Sequence, residues 1–131
     1  MKEIKNIMVA VDFNDSVGEL LEYAESIAKN FQSKLWVVYV SDDKEGFKEN
    51  NAMLQSLCDN FLDEDLEHEA VLIEGSTVEK VIEEAKTFHT DLLVVGTHKH
   101  GFFHNLLSES VSLELFKKVD IPLLTIPIDD E

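Results

Sequence analysis

The stretch Asp91–Pro127, DLLVVGTHKHGFFHNLLSESVSLELFKKVDIPLLTIP, decides the fold, because it predicts a strand, a loop, a helix and a closing strand in one continuous unit. Leu92–Val95 is a short apolar run bounded by loop residues, which is typical of a central strand buried on both faces. A loop led by Gly96 follows, and then a helix that begins near Ser108–Ser112. Free backbone N–H groups at a helix N-terminus favour phosphate, so the layout predicts an anion site at the end of this strand.

Strand and helix patterns alternate through the rest of the chain as well. The alternation predicts an α/β fold with an open, doubly wound, five-stranded parallel sheet, four helices and right-handed crossovers. The predicted strands are Ile4–Val11, Lys34–Val40, Glu69–Ile73, Leu92–Val95 and Leu123–Ile128. The first two predicted helices are Asp15–Phe31 and Phe47–Leu62, the third begins at Gly75 and ends before Asp91, and the fourth follows the Gly96 loop.

Two helices begin with the pattern of a capping box, Ser16-x-x-Glu19 and Ser76-x-x-Glu79. In such a box the serine hydroxyl accepts a backbone N–H of the first turn. The first, second and third predicted helices each carry apolar residues at helical spacing, which predicts one face packed on the sheet. The predicted buried faces are Val17, Leu20, Leu21, Ala24, Ile27, Ala28 and Phe31; then Met53, Leu54, Leu57, Phe61 and Leu62; then Val78, Val81, Ile82, Ala85 and Phe88.

Length and composition predict one domain over residues 1–131. A chain of this size buries roughly two-thirds of its unfolded surface in a single core. No apolar run approaches the ~20 residues that span a bilayer, and the first residues, MKEIKNIMVAVD, lack an apolar signal core, so a cytoplasmic protein is expected. The sole cysteine, Cys58, lies in a predicted helix and is expected to be a reduced, buried thiol.

The net charge of −16 comes from 27 acidic residues against 11 lysines, without any arginine. A nucleic-acid partner is not expected because such a protein needs a basic face, and anionic membranes would repel the chain for the same reason. A phosphate ligand would have to use lysine, hydroxyls and backbone N–H groups, since the bidentate fork of arginine is missing.

Three segments of the chain resemble the universal stress protein family. IMVAVDFNDS (7–16) resembles the family's first strand and Asp-containing turn, and IPLLTIP (121–127) resembles its last strand. The loop at Gly96 resembles the site where nucleotide-binding members carry G-x-x-G, nine further residues and then G-(S/T). The resemblance covers essentially the whole chain. It implies the strand order 3-2-1-4-5, which puts Val11–Phe13 beside Gly96–His98, and a homodimer paired through Leu123–Ile128.

The resemblance also implies a set of nucleotide-binding positions. In nucleotide-binding relatives the aspartate that matches Asp12 contacts the nucleoside, and a valine near the end of the second strand, here Val38 or Val40, lines the adenine slot. The glycine-rich loop holds the phosphates. The chain retains these further positions of the implied site: Gly96, His98, Ser110, Val111 and Ser112.

Two of the three motif glycines are replaced, by Lys99 and Glu109. Lys99 brings a side chain where a bare backbone would curve, although its ammonium also attracts phosphate. A carboxylate such as Glu109 costs on the order of 4 kcal/mol for a like charge 4 Å away at an effective dielectric near 20. Gly101 would restore flexibility only in a different loop shape. The pattern therefore predicts the branch of the family that binds ATP weakly or not at all.

Several of these residues have a plainer alternative role. Asp12 is also a common turn former at a strand end. Ser110 and Ser112 either donate to phosphate or cap the last helix, and Lys99 is either a phosphate ligand or a solvated charge. Phe102 and Phe103 are more typical of a lid packed on its own helix than of a partner site.

The histidine cluster His98, His100 and His104 raises the alternative of a metal site. Three imidazoles can hold zinc, but no cysteine or acidic pair nearby completes the set, and the residues serve equally as a polar lining of the cleft or as surface loop. Catalysis is not expected, because no serine or cysteine has an identifiable histidine base.

We therefore expect a homodimeric stress-response or regulatory module with a weak cleft for ATP or AMP. The alternative is an ATP or AMP sensor that uses the same cleft. A metal-dependent enzyme built on the histidine cluster is the third possibility.

Overall fold

A computed structural model describes residues 2–98 and 109–128, and for His98 and residues 109–112 it gives the backbone only. Within these residues the chain alternates strand and helix, as the sequence predicts. The strands are β1 (Asn6–Ala10), β2 (Lys34–Ser41), β3 (His68–Glu74), β4 (Leu92–His98) and β5 (Leu123–Ile128). The helices are α1 (Val17–Phe31), α2 (Phe47–Phe61), α3 (Thr77–Thr87) and α4 (Glu109–Lys118).

The five strands form one parallel sheet in the order β3-β2-β1-β4-β5. This confirms the predicted fold class and the strand order that the family resemblance implies. The order reverses beside β1, where Ala10 pairs with Val38 of β2 on one side and with Val95 of β4 on the other. The loop after β1 and the end of β4 therefore lie next to each other at the carboxyl edge of the sheet.

Helices cover both faces of the sheet and divide the core in two. On one face, α1 and α2 pack Leu21, Ala24, Leu54 and Cys58 against the sheet, where all four side chains are buried. On the other face, α3 and α4 do so through Val81, Ala85 and Leu115. Because β1 is covered on both sides, Ile7, Met8 and Val9 are 0% exposed, which explains the continuous apolar sequence of this strand.

The predicted capping boxes do not form. Ser16 and Ser76 are the N-cap residues of α1 and α3, but neither makes a side-chain cap hydrogen bond. At Ser16 the backbone has φ −98° and ψ 4°, outside the extended conformation that an N-cap needs. The turn before α1 instead uses Asn14, whose Oδ1 accepts the N–H of Ser16 at 2.9 Å.

Three residues of the predicted buried faces are exposed: Phe31 (52%), Met53 (49%) and Phe61 (40%). Helix α2 and the residue after it bury a line spaced by four, Leu54, Cys58 and Leu62, so Met53 and Phe61 are turned away from the sheet. The prediction of a buried Cys58 thiol is confirmed.

Strand β4 is longer than predicted. It continues through Gly96 to His98, because Ile126, Pro127 and Ile128 of β5 extend the pairing to these positions. Gly96 is therefore inside the sheet rather than in the loop.

Candidate functional site

The candidate site lies at the carboxyl edge of the sheet, where the strand order reverses between β1 and β4. Open α/β sheets bind ligands in the crevice at this point. The described wall of the crevice is the connection from β1 to α1, residues 11–16. It begins with Val11, whose N–H donates to the carbonyl of Val38 at 2.9 Å.

Asp12 occupies the first turn of this connection and is 8% exposed. Its Oδ1 accepts the N–H of Phe13 at 2.8 Å, so the carboxylate helps to shape the turn that leads into α1. This bond joins adjacent residues, whereas a turn-forming side chain accepts the N–H two residues on, which is what Asn14 does with Ser16. The contact of Asp12 is compatible with ligand binding, since a carboxylate has further acceptor sites.

An aromatic pair beside Asp12 was not predicted from the sequence. The rings of Phe13 and Tyr39 are tilted by 35° with centroids 4.3 Å apart, and both side chains are half-buried. Burial raises the pKa of the Tyr39 phenol, and the negative charge of Asp12 raises it further. Both rings also pack against the core cluster beneath α1 and α2, so only their exposed parts beside Asp12 could stack on a nucleobase. In the sequence, the one feature that could have indicated this pair is Phe13, an aromatic residue directly after Asp12 at the end of the first predicted strand.

The two valines assigned to an adenine slot are core residues in this structure. Val38 is 0% exposed and Val40 is 3% exposed, and both belong to the cluster beneath α3 and α4. Both valines therefore pack in the core behind the β2 side of the crevice.

Gly96 makes room for two core side chains at the β4 side. A Cβ there would lie 2.9 Å from Cδ1 of Ile128 and 3.4 Å from Cδ2 of Leu20. The absence of a side chain thus lets β5 and α1 approach β4, a packing role at the position of the first motif glycine.

The connections at this edge are strongly acidic. Residues 11–16, 41–46 and 74–77, which follow β1, β2 and β3, carry only Lys44 as a basic residue, and its Nζ is 3.5 Å from a carboxylate oxygen of Glu74. A cavity of about 320 Å³ opens beside Glu74, Gly75 and Thr77. The acidic residues of these three connections are Asp12, Asp15, Asp42, Asp43, Glu45 and Glu74.

Comparison with known proteins identifies the family to which this architecture belongs. The sequence model described as the universal stress protein family matches residues 3–127. The chain belongs to this family.

Curated and solved members of the universal stress protein family resemble the chain over nearly its full length. A universal stress protein A homolog from Pasteurella multocida is 27% identical over 144 residues, which cover 97% of this chain and 99% of that protein. A universal stress protein solved in complex with cAMP has a TM-score of 0.76 at 22% identity, with 95% of this chain and 98% of that chain covered. The universal stress protein from Archaeoglobus fulgidus in complex with dAMP has a TM-score of 0.75 at 21% identity, with 93% and 97% covered.

The remaining positions of the universal stress protein site are only partly described. His98 ends β4, and Ser110, Val111 and Ser112 lie in the first turns of α4, after Glu109. Helix α4 follows β4 along the chain, which is the element order of a strand-loop-helix anion site, and the site itself stays a prediction. Lys99 and Gly101 lie outside the described residues, as do Phe102 and Phe103, so the assigned roles of these residues stay predictions.

The metal alternative has no support within residues 2–98 and 109–128, where no group of three or more His, Cys, Asp or Glu side chains is arranged to hold an ion. His100 and His104 fall outside these ranges. No helix in the described part of the chain is both long and apolar enough to cross a membrane.

Proposed function

We propose that this universal stress protein is a homodimeric regulatory module whose carboxyl-edge cleft takes adenine nucleotides weakly and prefers AMP to ATP. The observation that carries the proposal is the composition of the cleft wall. An aspartate and a half-buried aromatic pair suit a nucleoside, whereas the surrounding connections repel phosphate charge.

The nucleoside half of the proposal is supported by Asp12, Phe13 and Tyr39. The family resemblance assigns Asp12 to nucleoside contact, and the neighbouring rings offer stacking, which typically contributes about 1–3 kcal/mol per base. The solved relatives that hold cAMP and dAMP add support, because both ligands combine an adenine nucleoside with a single phosphate.

The weak binding of ATP follows from the negative charge of the connections around the cleft. Six carboxylates and one lysine line the three described connections, and Glu109 stands where the family motif has a glycine. Each added phosphate brings more negative charge toward this edge, and no arginine is available to compensate. We expect ATP to bind in the high-micromolar range or weaker, roughly −5.5 kcal/mol.

We assign the module a binding role rather than a catalytic one. Its sole cysteine, Cys58, is 2% exposed, and burial raises the pKa of its thiol to about 11, so it is not a thiolate nucleophile near neutral pH. Asp12, the carboxylate at the cleft, participates in the turn that holds α1.

The homodimer is proposed to form through β5, one of the two edge strands of the sheet. An unpaired edge with apolar side chains favours pairing with a second copy, and an isologous contact would cover it. Leu124 is 38% exposed on this edge. Pro127 lacks an N–H donor, so pairing should centre on Leu124–Ile126.

Isothermal titration of AMP and of magnesium-free ATP at about 50 mM and about 500 mM salt tests the cleft. Salt screens the repulsion, so ATP binding should strengthen as salt rises, the opposite of a site built on lysine or arginine. AMP binding should change less. ATP that co-purifies at stoichiometric level, or ATP affinity that falls with salt, would contradict the proposal.

The variants Glu109→Gly and Glu45→Gln test whether Glu109 alone repels the phosphates of ATP or whether the acidic edge as a whole does so. We expect Glu109→Gly to improve ATP binding by about tenfold and AMP binding by less, because the repulsion falls mostly on the outer phosphates. Glu45→Gln is the matched control for loss of one negative charge at the same edge, and it should have a smaller effect. Equal gains for both nucleotides in Glu109→Gly would indicate backbone shape as the obstacle.

The second candidate, an ATP or AMP sensor, is favoured by the cAMP and dAMP complexes of the solved relatives. It requires nucleotide binding that is clearly tighter than the weak cleft provides. Low-micromolar AMP binding that Asp12→Asn weakens by tenfold or more would select it over the weak cleft.

A further inference from the structure

Helix α4 carries a pair of apolar side chains that the fold of one chain leaves in solvent. Leu113 is 52% exposed and Phe116 is 69% exposed, the highest value for a large apolar side chain among the described residues. They are three positions apart, so they lie on the same face of the helix. Leu115, between them, is buried and packs in the cluster that joins α3 and α4 to the sheet.

The exposed face of α4 is directed toward the open edge at β5. Helix α4 runs antiparallel to the strands, because it leads from the carboxyl end of β4 to the amino end of β5. Helix α3 contacts both α4 and β2, so it lies on the side of α4 toward the centre of the sheet. Successive side chains of a right-handed helix are rotated by about 100°. With Leu115 directed at the sheet, this rotation directs Phe116 toward the β5 side.

Pairing through β5 alone is too small for a stable dimer. A stable interface takes about 20–30 residues from each partner, whereas β5 has 6 residues. Leu124 shares a face of the strand with Ile126, which packs in the core under α1. Leu124 can therefore cover only the α1 side of a β5 contact, and the α4 side needs a contact of its own.

We propose that α4 packs antiparallel on α4 of a second copy of the chain, with Leu113 and Phe116 as the apolar contact. The proposal rests on the homodimer through β5 proposed above. Antiparallel pairing of two β5 strands places a two-fold axis perpendicular to the sheet. This axis keeps both α4 helices on the same face of the joined sheets and brings their exposed faces together across the β5 contact.

Charge favours a second copy of this helix as the partner. Helix α4 has two glutamates followed by Lys117 and Lys118 in its last turn, so it is neutral, whereas α1, α2 and α3 each have more acidic than basic residues. In an antiparallel pair the acidic part of each helix meets the basic turn of the other, and the two helix dipoles attract. Two copies of a chain with a net charge of −16 can approach here without repulsion.

Sedimentation velocity of the full chain with Phe116→Ser tests the apolar contact. We expect the dimer Kd to rise at least tenfold, because a large apolar side chain at the interface is lost. Phe47→Ser is the matched control, since Phe47 is also exposed but lies on α2, which covers β2 and β3 at the other end of the sheet. It should change the Kd by less than about twofold. Both side chains are exposed, so both variants should fold.

The outcomes separate this packing from the β5 dimer on which it rests. If Leu124→Lys yields a monomer while Phe116→Ser leaves the Kd unchanged, the β5 dimer stands, the α4 packing is refuted, and this face belongs to a different partner. An unmodified chain that is a monomer at tens of micromolar refutes both.

A double substitution in the basic turn tests the charge pairing. Lys117→Glu with Lys118→Glu should raise the dimer Kd about tenfold, because like charges then meet across the two helices. Lys44→Glu with Lys48→Glu changes the net charge equally, at exposed positions before and in α2, and should have an effect of less than about threefold. Equal effects would mean that net charge alone controls assembly, which would overturn the antiparallel packing.

Discussion

At the scale of single residues, Gly75 has the most demanding backbone. It joins β3 to α3 with φ +143°, and its N–H donates to the carbonyl of Ser41 at 2.9 Å. A Cβ at this position would also lie 2.7 Å from Cγ of Lys80. We expect Gly75→Ala to lower the free energy of unfolding by about 1–3 kcal/mol, measured by urea denaturation, because an L side chain rarely adopts this conformation.

Gly46→Ala is the matched control for this substitution. Gly46 is the N-cap of α2 and has an ordinary φ of −85°, and a Cβ there would meet the carboxylate of Asp43, an exposed side chain that can move. The loss should stay below about 1 kcal/mol. If the two variants lose equally, the strained backbone at Gly75 is not the cause.

Cys58 makes a pH-dependent contribution to stability. Burial raises the pKa of its thiol from 9.0 to about 11, so between these values the unfolded chain releases a proton that the folded chain keeps. The stabilisation is fully present below pH 9 and is lost as pH rises toward 11, so about 1 kcal/mol is lost between pH 8 and pH 10. Urea denaturation at pH 8 and at pH 10 gives the free energy of unfolding of the unmodified chain and of Cys58→Ala. The difference between the two proteins should change by this amount from pH 8 to pH 10. A difference between the two proteins that does not change with pH would exclude the thiol as its source.

At the scale of elements, Trp36 connects β2 to the end of α3. Its ring stacks on Phe88 with centroids 4.1 Å apart and planes 6° from parallel, and Lys34 Nζ lies 3.9 Å from the ring centroid. Its Nε1–H donates to Oδ1 of Asn6 at 3.2 Å, which adds the start of β1 to the contact. This single tryptophan is thus a reporter of how α3 sits on the sheet.

Phe88→Ala should lower the free energy of unfolding by about 2 kcal/mol and move the tryptophan emission to longer wavelength, because the stack is lost and water reaches the ring. Thermal denaturation and fluorescence measure both effects. Phe31→Ala is the comparison at an aromatic residue that is 52% exposed, and it should lose less than about 1 kcal/mol with unchanged emission. A large loss in Phe31→Ala would mean that this residue is buried in solution, as its helical spacing predicts.

At the scale of the whole molecule, the open edge of β5 leads to a prediction about assembly. Leu124 is 38% exposed, whereas Ile126 is 6% exposed and belongs to the core under α1. Leu124→Lys should therefore yield a folded monomer in sedimentation velocity experiments, while Ile126→Lys would also disrupt the core and is not diagnostic. Removal of residues 129–131 should leave the dimer intact. A monomer for the unmodified chain at tens of micromolar would contradict this proposal.

The sequence predicts much of the fold and less of the site, for reasons visible in particular residues. Leu92–Val95 and Leu123–Ile128 are apolar runs whose strand character follows from local pattern alone, and the structure places both in the parallel sheet. Met53 and Phe61 have helical spacing but lie outside the line that α2 buries. Periodicity defines a helix face only to within about one residue position, so the neighbouring sheet decides which side chains are covered.

By itself, the sequence determined the alternation of strands and helices, the acidic surface and the lack of arginine, because these depend on residue type and spacing along the chain. The strand order followed from family resemblance rather than from periodicity. Only the tertiary structure decided that Phe13 meets Tyr39 beside Asp12 and that Val38 and Val40 are core residues. These contacts join residues that are distant in sequence, and no local propensity records which strands and helices will pack together.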